Sequence, residues 1–383
     1  MSPLNAVFTG AQVLWPGQEL EIGDLAISDG WISGAGPARA IDLSGFIVLP
    51  GIIDVHGDGF ERHLAPRRGA MSQMGEGVVA AAAELAANGI TTGVMAQFHS
   101  WEGGLRSPDY ADQVFAAIAQ VRGAIVTDLI AQLRFETHML DDYAALPDRL
   151  AQAGVSYVVF NDHLPHKRLA EGRKPPRMTG QALKAGRNPE VHFEMMKALH
   201  ARADEVPAAL DQLTQRLATQ GVRMGSHDDT SAEARAAWRA RGVVLSEFPE
   251  TETAAMAARA GGDKVIMGAP NVVRGGSHNG NVDAIDLIRA GLCDALASDY
   301  HYPSPRRAAL KLVQDGICGW DAAWALVSSG PAEVLGLSDR GTLGLGLRAD
   351  LVILEGTTHR VAATLAGGQV SYMSGAVAHR FFG

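Results

Sequence analysis

The sequence predicts a (β/α)8 TIM-like barrel with a small β-sandwich domain formed by both chain termini. Three observations carry this. The middle of the chain alternates short apolar runs with longer helix-like ones. Both ends are rich in short strands and tight turns. Six of the apolar runs in the middle end in His, Asp or Glu, and a barrel gathers its strand C-termini at one mouth.

The elements follow in order. Ala6-Val7-Phe8-Thr9, Leu25-Ala26-Ile27-Ser28 and Trp31-Ile32-Ser33-Gly34 are short strands, and Asp29-Gly30 marks a hairpin turn. Near the other end, Ala349 to Leu354 and Val361 to Leu365 are strand-like, with turns at Gly367-Gly368 and Ser374-Gly375. Neither end can build a good sheet alone, so the two are expected to pair. The expected division is 1–47 and 337–383 for the β-domain and 48–336 for the barrel. Inside the barrel, one run closes at Val55, and the next strands are Ile90 to Met95, Leu129 to Phe135 and Val155 to Phe160. Val222 to Gly225, Val243 to Ser246, Val265 to Met267 and Ala295 to Ala297 complete the eight. Helices are expected over Glu76 to Asn88, Asp109 to Arg122, Val191 to Thr219, Ser231 to Ala240, Thr251 to Ala260 and Val282 to Ala290.

Bulk properties exclude several classes. The chain has 383 residues, 47% of them hydrophobic, enough for a large core. A formal charge of -9 argues against nucleic-acid binding, which wants a basic surface. Two cysteines, Cys293 and Cys318, form no disulfide framework and suit a reducing cytoplasm. No apolar stretch reaches the length of a membrane span, roughly 18 residues, and no signal peptide is evident.

The strand ends carry the chemistry. The first gives His56 and Asp58, which point the same way because strand side chains alternate. The third gives Glu136, the fourth Asp162 and His163, the fifth His227, Asp228 and Asp229, the sixth Glu247, and the eighth Asp299. Acids crowded at one mouth repel unless a cation neutralises them. His56, Asp58, Glu136, His163, His227 and Asp299 are therefore expected to ligate metal. Zinc takes about four ligands, so six donors suit two divalent ions sharing Glu136. Zinc is the first choice, with manganese or iron as alternatives. Two ions can activate a water and stabilise a leaving oxygen, and Asp299 is expected to take the proton as catalytic base.

These segments also resemble a known family. His56-Gly57-Asp58-Gly59-Phe60-Glu61-Arg62, Ala65-Pro66-Arg67 and Ser226-His227-Asp228-Asp229-Thr230 carry the likeness. So do Glu247-Phe248-Pro249, Met267-Gly268-Ala269-Pro270-Asn271-Val272-Val273-Arg274-Gly275-Gly276-Ser277-His278 and Ser298-Asp299-Tyr300. Together they resemble the PhnM family of the amidohydrolase superfamily, which implies a barrel of the metal-dependent hydrolase type. The resemblance implies alkylphosphonate metabolism. It implies hydrolysis of α-D-ribose 1-methylphosphonate 5-triphosphate to the 5-phosphate and pyrophosphate.

Such a substrate needs cations at the mouth. Arg274, with the backbone of Gly275-Gly276-Ser277, is expected to hold phosphate oxygens. Arg62, Arg67, Asp228, Asn271, Ser277 and His278 are the other expected substrate contacts, with Asn271 equally able to cap a turn. Arg173 to Arg177 reads first as a solvated loop, and His99, His138, His166, His192 and His200 as structural or surface groups. The expected partner is a small phosphorylated sugar, and a homo-oligomer, a dimer first, is expected. The competing readings are a C–N hydrolase, for which the loop cations would matter little, and a non-catalytic barrel, which would have no use for the clustered acids.

Overall fold

The computed structural model describes residues 2–34, 39–65, 73–277 and 280–382. Among the described residues sixteen strands form two sheets. The chain opens with β1 (Ala6–Leu14), β2 (Leu20–Ser28), β3 (Trp31–Ser33), β4 (Arg39–Asp42) and β5 (Phe46–Pro50). Eight strands follow: β6 (Ile52–Gly57), β7 (Ile90–His99), β8 (Asp128–Glu136), β9 (Tyr157–Asn161), β10 (Arg223–His227), β11 (Leu245–Glu247), β12 (Lys264–Gly268) and β13 (Ala295–Ala297). The last three are β14 (Leu351–Glu355), β15 (Val361–Ala366) and β16 (Gln369–Met373).

Both termini build the first sheet, in the order β16-β15-β14-β5-β1-β2-β3, with β4 also on β1. The join is β14, which runs antiparallel to β5 from Phe46 to Pro50. β1 changes partner along its length: Ala6 to Thr9 pair with β4, and Gln12 and Val13 with β5. Its register with β2 shifts between Phe8 and Ala11, where Gly10 takes a positive φ of 70°. Phe8, Val13, Ile27, Ile41, Leu351, Ile353, Leu365 and Phe381 share one apolar core, so the ends fold as a single body. The expected hairpin turn is present, with Asp29 and Gly30 at φ 51° and 91°.

The second sheet holds β6 to β13 in strict chain order. The pairs β6–β7, β8–β9, β9–β10, β10–β11 and β12–β13 are parallel. Its edge strands meet where Gly57 bridges Asp299 in parallel fashion, so the sheet closes on itself. This is the (β/α)8 barrel that the sequence predicts.

Two expectations change in detail. The apolar run from Phe46 to Val55 is two strands, not one, and they belong to different sheets. The break falls at Gly51, whose N–H turns to the Asp350 carbonyl and whose Cα faces the Thr91 side chain too closely for a Cβ. The helix expected over Val191 to Thr219 is also two, Pro189–Ala201 and Val206–Thr219. Pro207 lies in the first turn of the second, where its missing N–H costs nothing.

By packing, the chain divides into two compact units: Met1–Met95, Ile118–Ile130 and Lys264–Gly383; and Ala96–Ala117 with Ala131–Asp263. Among the described residues no helix is long and apolar enough to cross a membrane.

Candidate metal centre and substrate cavity

In the first unit, every residue of β6 is buried, and alternation puts Asp54 and His56 on one side. The first and last barrel strands are stitched at this level. The Asp299 N–H donates to the His56 carbonyl at 2.9 Å, and the Asp58 N–H donates to the Asp299 carbonyl at 2.9 Å. Gly57 allows the approach: a Cβ there would lie 2.7 Å from Asp54 Oδ2 and 2.9 Å from Ser298 Oγ. Asp54 accepts from the Ser298 N–H at 2.8 Å and from its hydroxyl. Burial pushes the Asp54 carboxyl up to about 6, against the pull of those hydrogen bonds. The three expected residues of this unit, His56, Asp58 and Asp299, are thus neighbours through their backbones.

In the second unit, β8 projects Gln132, Arg134 and Glu136 to one buried face. Glu136 accepts from the Trp101 indole N–H at 3.3 Å and the His163 N–H at 3.1 Å, and its other oxygen meets His163 Nδ1. Burial opposes the charged ring, but the Glu136 hydrogen bond and charge outweigh it, so His163 titrates above its ordinary value. Glu102, Glu136 and His163 each bring one donor atom within 4.8 Å of the others. Two carboxylates and an imidazole at that spacing suit a divalent cation of the zinc type.

His227 ends β10. Arg134 Nη2 lies 3.1 Å from its Nε2, and a guanidinium only donates, so this nitrogen carries the lone pair. The Nδ1–H then faces Asp228 Oδ2 at 2.9 Å. The ring thus has its Nε2 lone pair on the side a metal could use, but Arg134 now occupies it, so an ion bound there has to displace that guanidinium. The His163 and His227 ring centroids are 6.3 Å apart. Glu247, at the end of β11, accepts from Gln132 at 2.9 Å and from the Tyr157 hydroxyl at 2.6 Å.

Three strand ends are strained. Asp228, Phe248 and Asp299 follow β10, β11 and β13 with φ of 61°, 54° and 56°. Each such conformation costs about 1–3 kcal/mol, and such residues cluster at functional sites.

A cavity of about 530 Å³ opens in the second unit, lined by His138, Asp162, His163, His166, His227 and Asp228 among others. A smaller one of about 260 Å³ lies between Trp101, His163 and the Pro175 to Met178 turn, with Arg177 in its wall.

Several expected substrate contacts have other work. The Gly275 and Gly276 N–H groups donate to the Asn271 carbonyl, and the Ser277 N–H to Asp283 Oδ1 at 2.7 Å. Among the described residues of this loop these backbone donors are therefore taken, and the Arg274 guanidinium donates to the Tyr300 hydroxyl at 2.7 Å. Asn271 Oδ1 accepts from the Ala284 N–H at 3.1 Å, which makes it the cap of the next helix. Arg62 pairs with Glu84. Asp228 orients His227, and Asp229 is buried in an ion pair with Arg235 at 3.1 Å. Arg173 and Lys174 pair with Glu171 and Glu190 in the loop expected to be solvated. Arg67 and His278 lie outside the described residues.

Sequence reading missed Glu102, Arg134 and a histidine cluster. Arg134 had a signal: a charge two residues before Glu136 on an apolar strand shares its face. Glu102 had none, because β7 runs to His99, past its expected end at Met95. His138 and His166 both address Asp162, at 3.4 Å and 2.9 Å, and His200 stands behind His166 with Nδ1 atoms 2.8 Å apart. Burial works to raise the Asp162 carboxyl, yet these rings hold it well below the usual carboxylate range.

No family model matches the chain. A protein of Escherichia coli (strain K12) named alpha-D-ribose 1-methylphosphonate 5-triphosphate diphosphatase is 32% identical over 350 residues, covering 88% of this chain and 91% of that one. Among solved structures, a molinate hydrolase aligns with TM-score 0.66 at 14% identity, over 97% of this chain and 95% of that one. An N-acetyl-D-glucosamine-6-phosphate deacetylase from Mycobacterium smegmatis aligns with TM-score 0.62 at 18% identity, over 97% and 100%. A 5-methylcytosine deaminase from Klebsiella pneumoniae gives TM-score 0.62 at 15% identity, over 97% and 98%.

Proposed function

Because the chain belongs to the PhnM family of the amidohydrolase superfamily, we propose that this hydrolase cleaves a phosphoanhydride. The proposed reaction converts α-D-ribose 1-methylphosphonate 5-triphosphate to the 5-phosphate and pyrophosphate. The observation that carries it is the 32% identity to the E. coli diphosphatase over 88% of this chain.

His56, Asp58, Glu136, His163, His227 and Asp299 would hold two divalent ions, zinc first. Glu102 joins the Glu136–His163 donor group. Bound ions supply a Lewis acid and lower the pKa of water. The chain's own residues do the rest. Asp299 takes the proton of the attacking water as its oxygen bonds to the α-phosphorus. The α–β phosphoanhydride bond breaks, and the leaving pyrophosphate receives that proton. Asp228 holds the His227 ring in its ligating tautomer. Arg134, buried and permanently charged, offsets the surrounding carboxylates. Arg274 contacts the phosphate chain, and Arg177, in the wall of the smaller cavity, is available to it.

The test is a substrate panel with metal-reconstituted enzyme, followed by ³¹P NMR. The triphosphate should give stoichiometric pyrophosphate and 5-phosphate. Turnover of N-acyl or cyclic-amide compounds, with the triphosphate untouched, would replace this reading with C–N bond hydrolysis.

A further inference from the structure

We propose that the second unit carries a divalent-cation site of its own, formed by His138, Asp162 and His166, with His200 positioning His166. The site shares no ligand with the Glu102–Glu136–His163 group. Asp162 and His163 are successive residues after β9, and they serve opposite sides. Asp162 meets His138 and His166, whereas His163 meets Glu136.

Donor spacing supports the assignment. His138 Nε2 lies 3.4 Å and His166 Nε2 2.9 Å from Asp162 Oδ2, and the three donor atoms lie within 4.8 Å of one another. Two ligands of a tetrahedral zinc ion, each about 2.0–2.1 Å from it, stand about 3.3–3.4 Å apart. The cluster is close to that spacing before any ion draws it together.

Ring orientation fits the same reading. The His138 and His166 ring centroids are 4.8 Å apart, and both rings turn Nε2 to one carboxylate. Filled by protons alone, this needs an N–H on each Nε2. In the other tautomer both rings offer lone pairs beside the carboxylate, and a cation can take the place of the two protons. The His166 Nδ1–H can donate to His200 Nδ1 at 2.8 Å, the outer partner that ligating histidines commonly have. His138 is buried, and its Nδ1 has no hydrogen-bond partner among the described residues. Imidazole with one carboxylate selects a transition ion of the zinc class over magnesium or calcium. His138, Asp162 and His166 line the larger cavity, so the ion's remaining positions are open to water or an anionic oxygen.

Metal counting tests this independently of any substrate. Apo-protein would be dialysed to equilibrium against cobalt(II), and bound metal per chain measured for wild type, His166→Gln, His138→Gln and His200→Gln. His166→Gln and His138→Gln should each bind one equivalent fewer than wild type. His200→Gln should keep the equivalent but hold it about 10- to 100-fold more weakly. Circular dichroism checks that each variant is folded, and the partly exposed His166 makes its variant the safer one. Equal stoichiometry and affinity in folded wild type and His166→Gln would overturn the proposal and leave an ion-paired cluster. Failure of the phosphoanhydride reading would appear only in the substrate panel.

Discussion

Asp299 and His56 are joined across the barrel seam by an N–H to carbonyl hydrogen bond of 2.9 Å, with Asp299 held at a φ of 56°. The seam and the strain together aim one carboxylate from the last strand of the barrel. Asn tolerates this left-handed conformation nearly as well as Asp. Asp299→Asn should therefore keep the fold and lower kcat by about 10² or more, the scale of a lost general base. Steady-state kinetics beside a metal assay checks this. Unchanged kcat would remove Asp299 from the chemistry.

Asp228 acts on metal through His227. Asp228→Asn keeps the backbone but weakens the hold on the Nδ1–H. Metal affinity should fall about 10- to 100-fold, as for other outer partners of ligating histidines. Chelator competition measures it, and activity lost at low metal should return when metal is added.

Arg274→Ala should lower kcat/KM for a triphosphorylated substrate by roughly 10- to 150-fold, the equivalent of about 1.5–3 kcal/mol for a charge-assisted contact. Tyr300→Phe removes only the hydroxyl that steadies Arg274 and should cost about 2- to 10-fold. An uncharged amide should be turned over equally well, or equally poorly, by wild type and both variants.

Arg235 is fully buried against Asp229 at 3.1 Å and Asp263 at 3.0 Å, and it also donates to the Leu245 carbonyl at 3.1 Å. Arg235→Met leaves the buried Asp229 without its cation, while Asp263 keeps Arg239 at 2.6 Å. Stability should drop by about 3–5 kcal/mol, read from urea unfolding. A loss under about 1 kcal/mol would show that Asp229 finds another partner.

The barrel was legible because its strands are apolar runs bounded by polar turns, and because Glu136, His163 and His227 stand at or just past strand ends. Periodicity alone places such residues. What it cannot place is convergence through loops. His138, His166 and His200 come from three segments, and only the path of the chain after β8 and β9 brings them to Asp162. Glu102 is likewise positioned by the turn after β7. Asp229, at a strand end but outside the expected ligand set, is held by Arg235 on the helix that follows, a partner periodicity does not reveal. The division of the run from Phe46 to Val55 was hidden because both halves are equally apolar, and the break shows only in the partner of the Gly51 N–H, the Asp350 carbonyl.

The seating of β14 against β5 sets an order of events during synthesis. β5 leaves the ribosome early, with the edge that will receive β14 bare, and about 300 residues must follow before its partner is made. At about 5–20 residues per second, that edge waits about 15–60 s. An unpaired strand edge is a template for pairing with other chains. The nascent chain therefore passes through a long period in which its earliest sheet is incomplete beside a barrel still being assembled. Slower translation of the last third should increase aggregation of the newborn protein, while leaving the finished molecule unchanged.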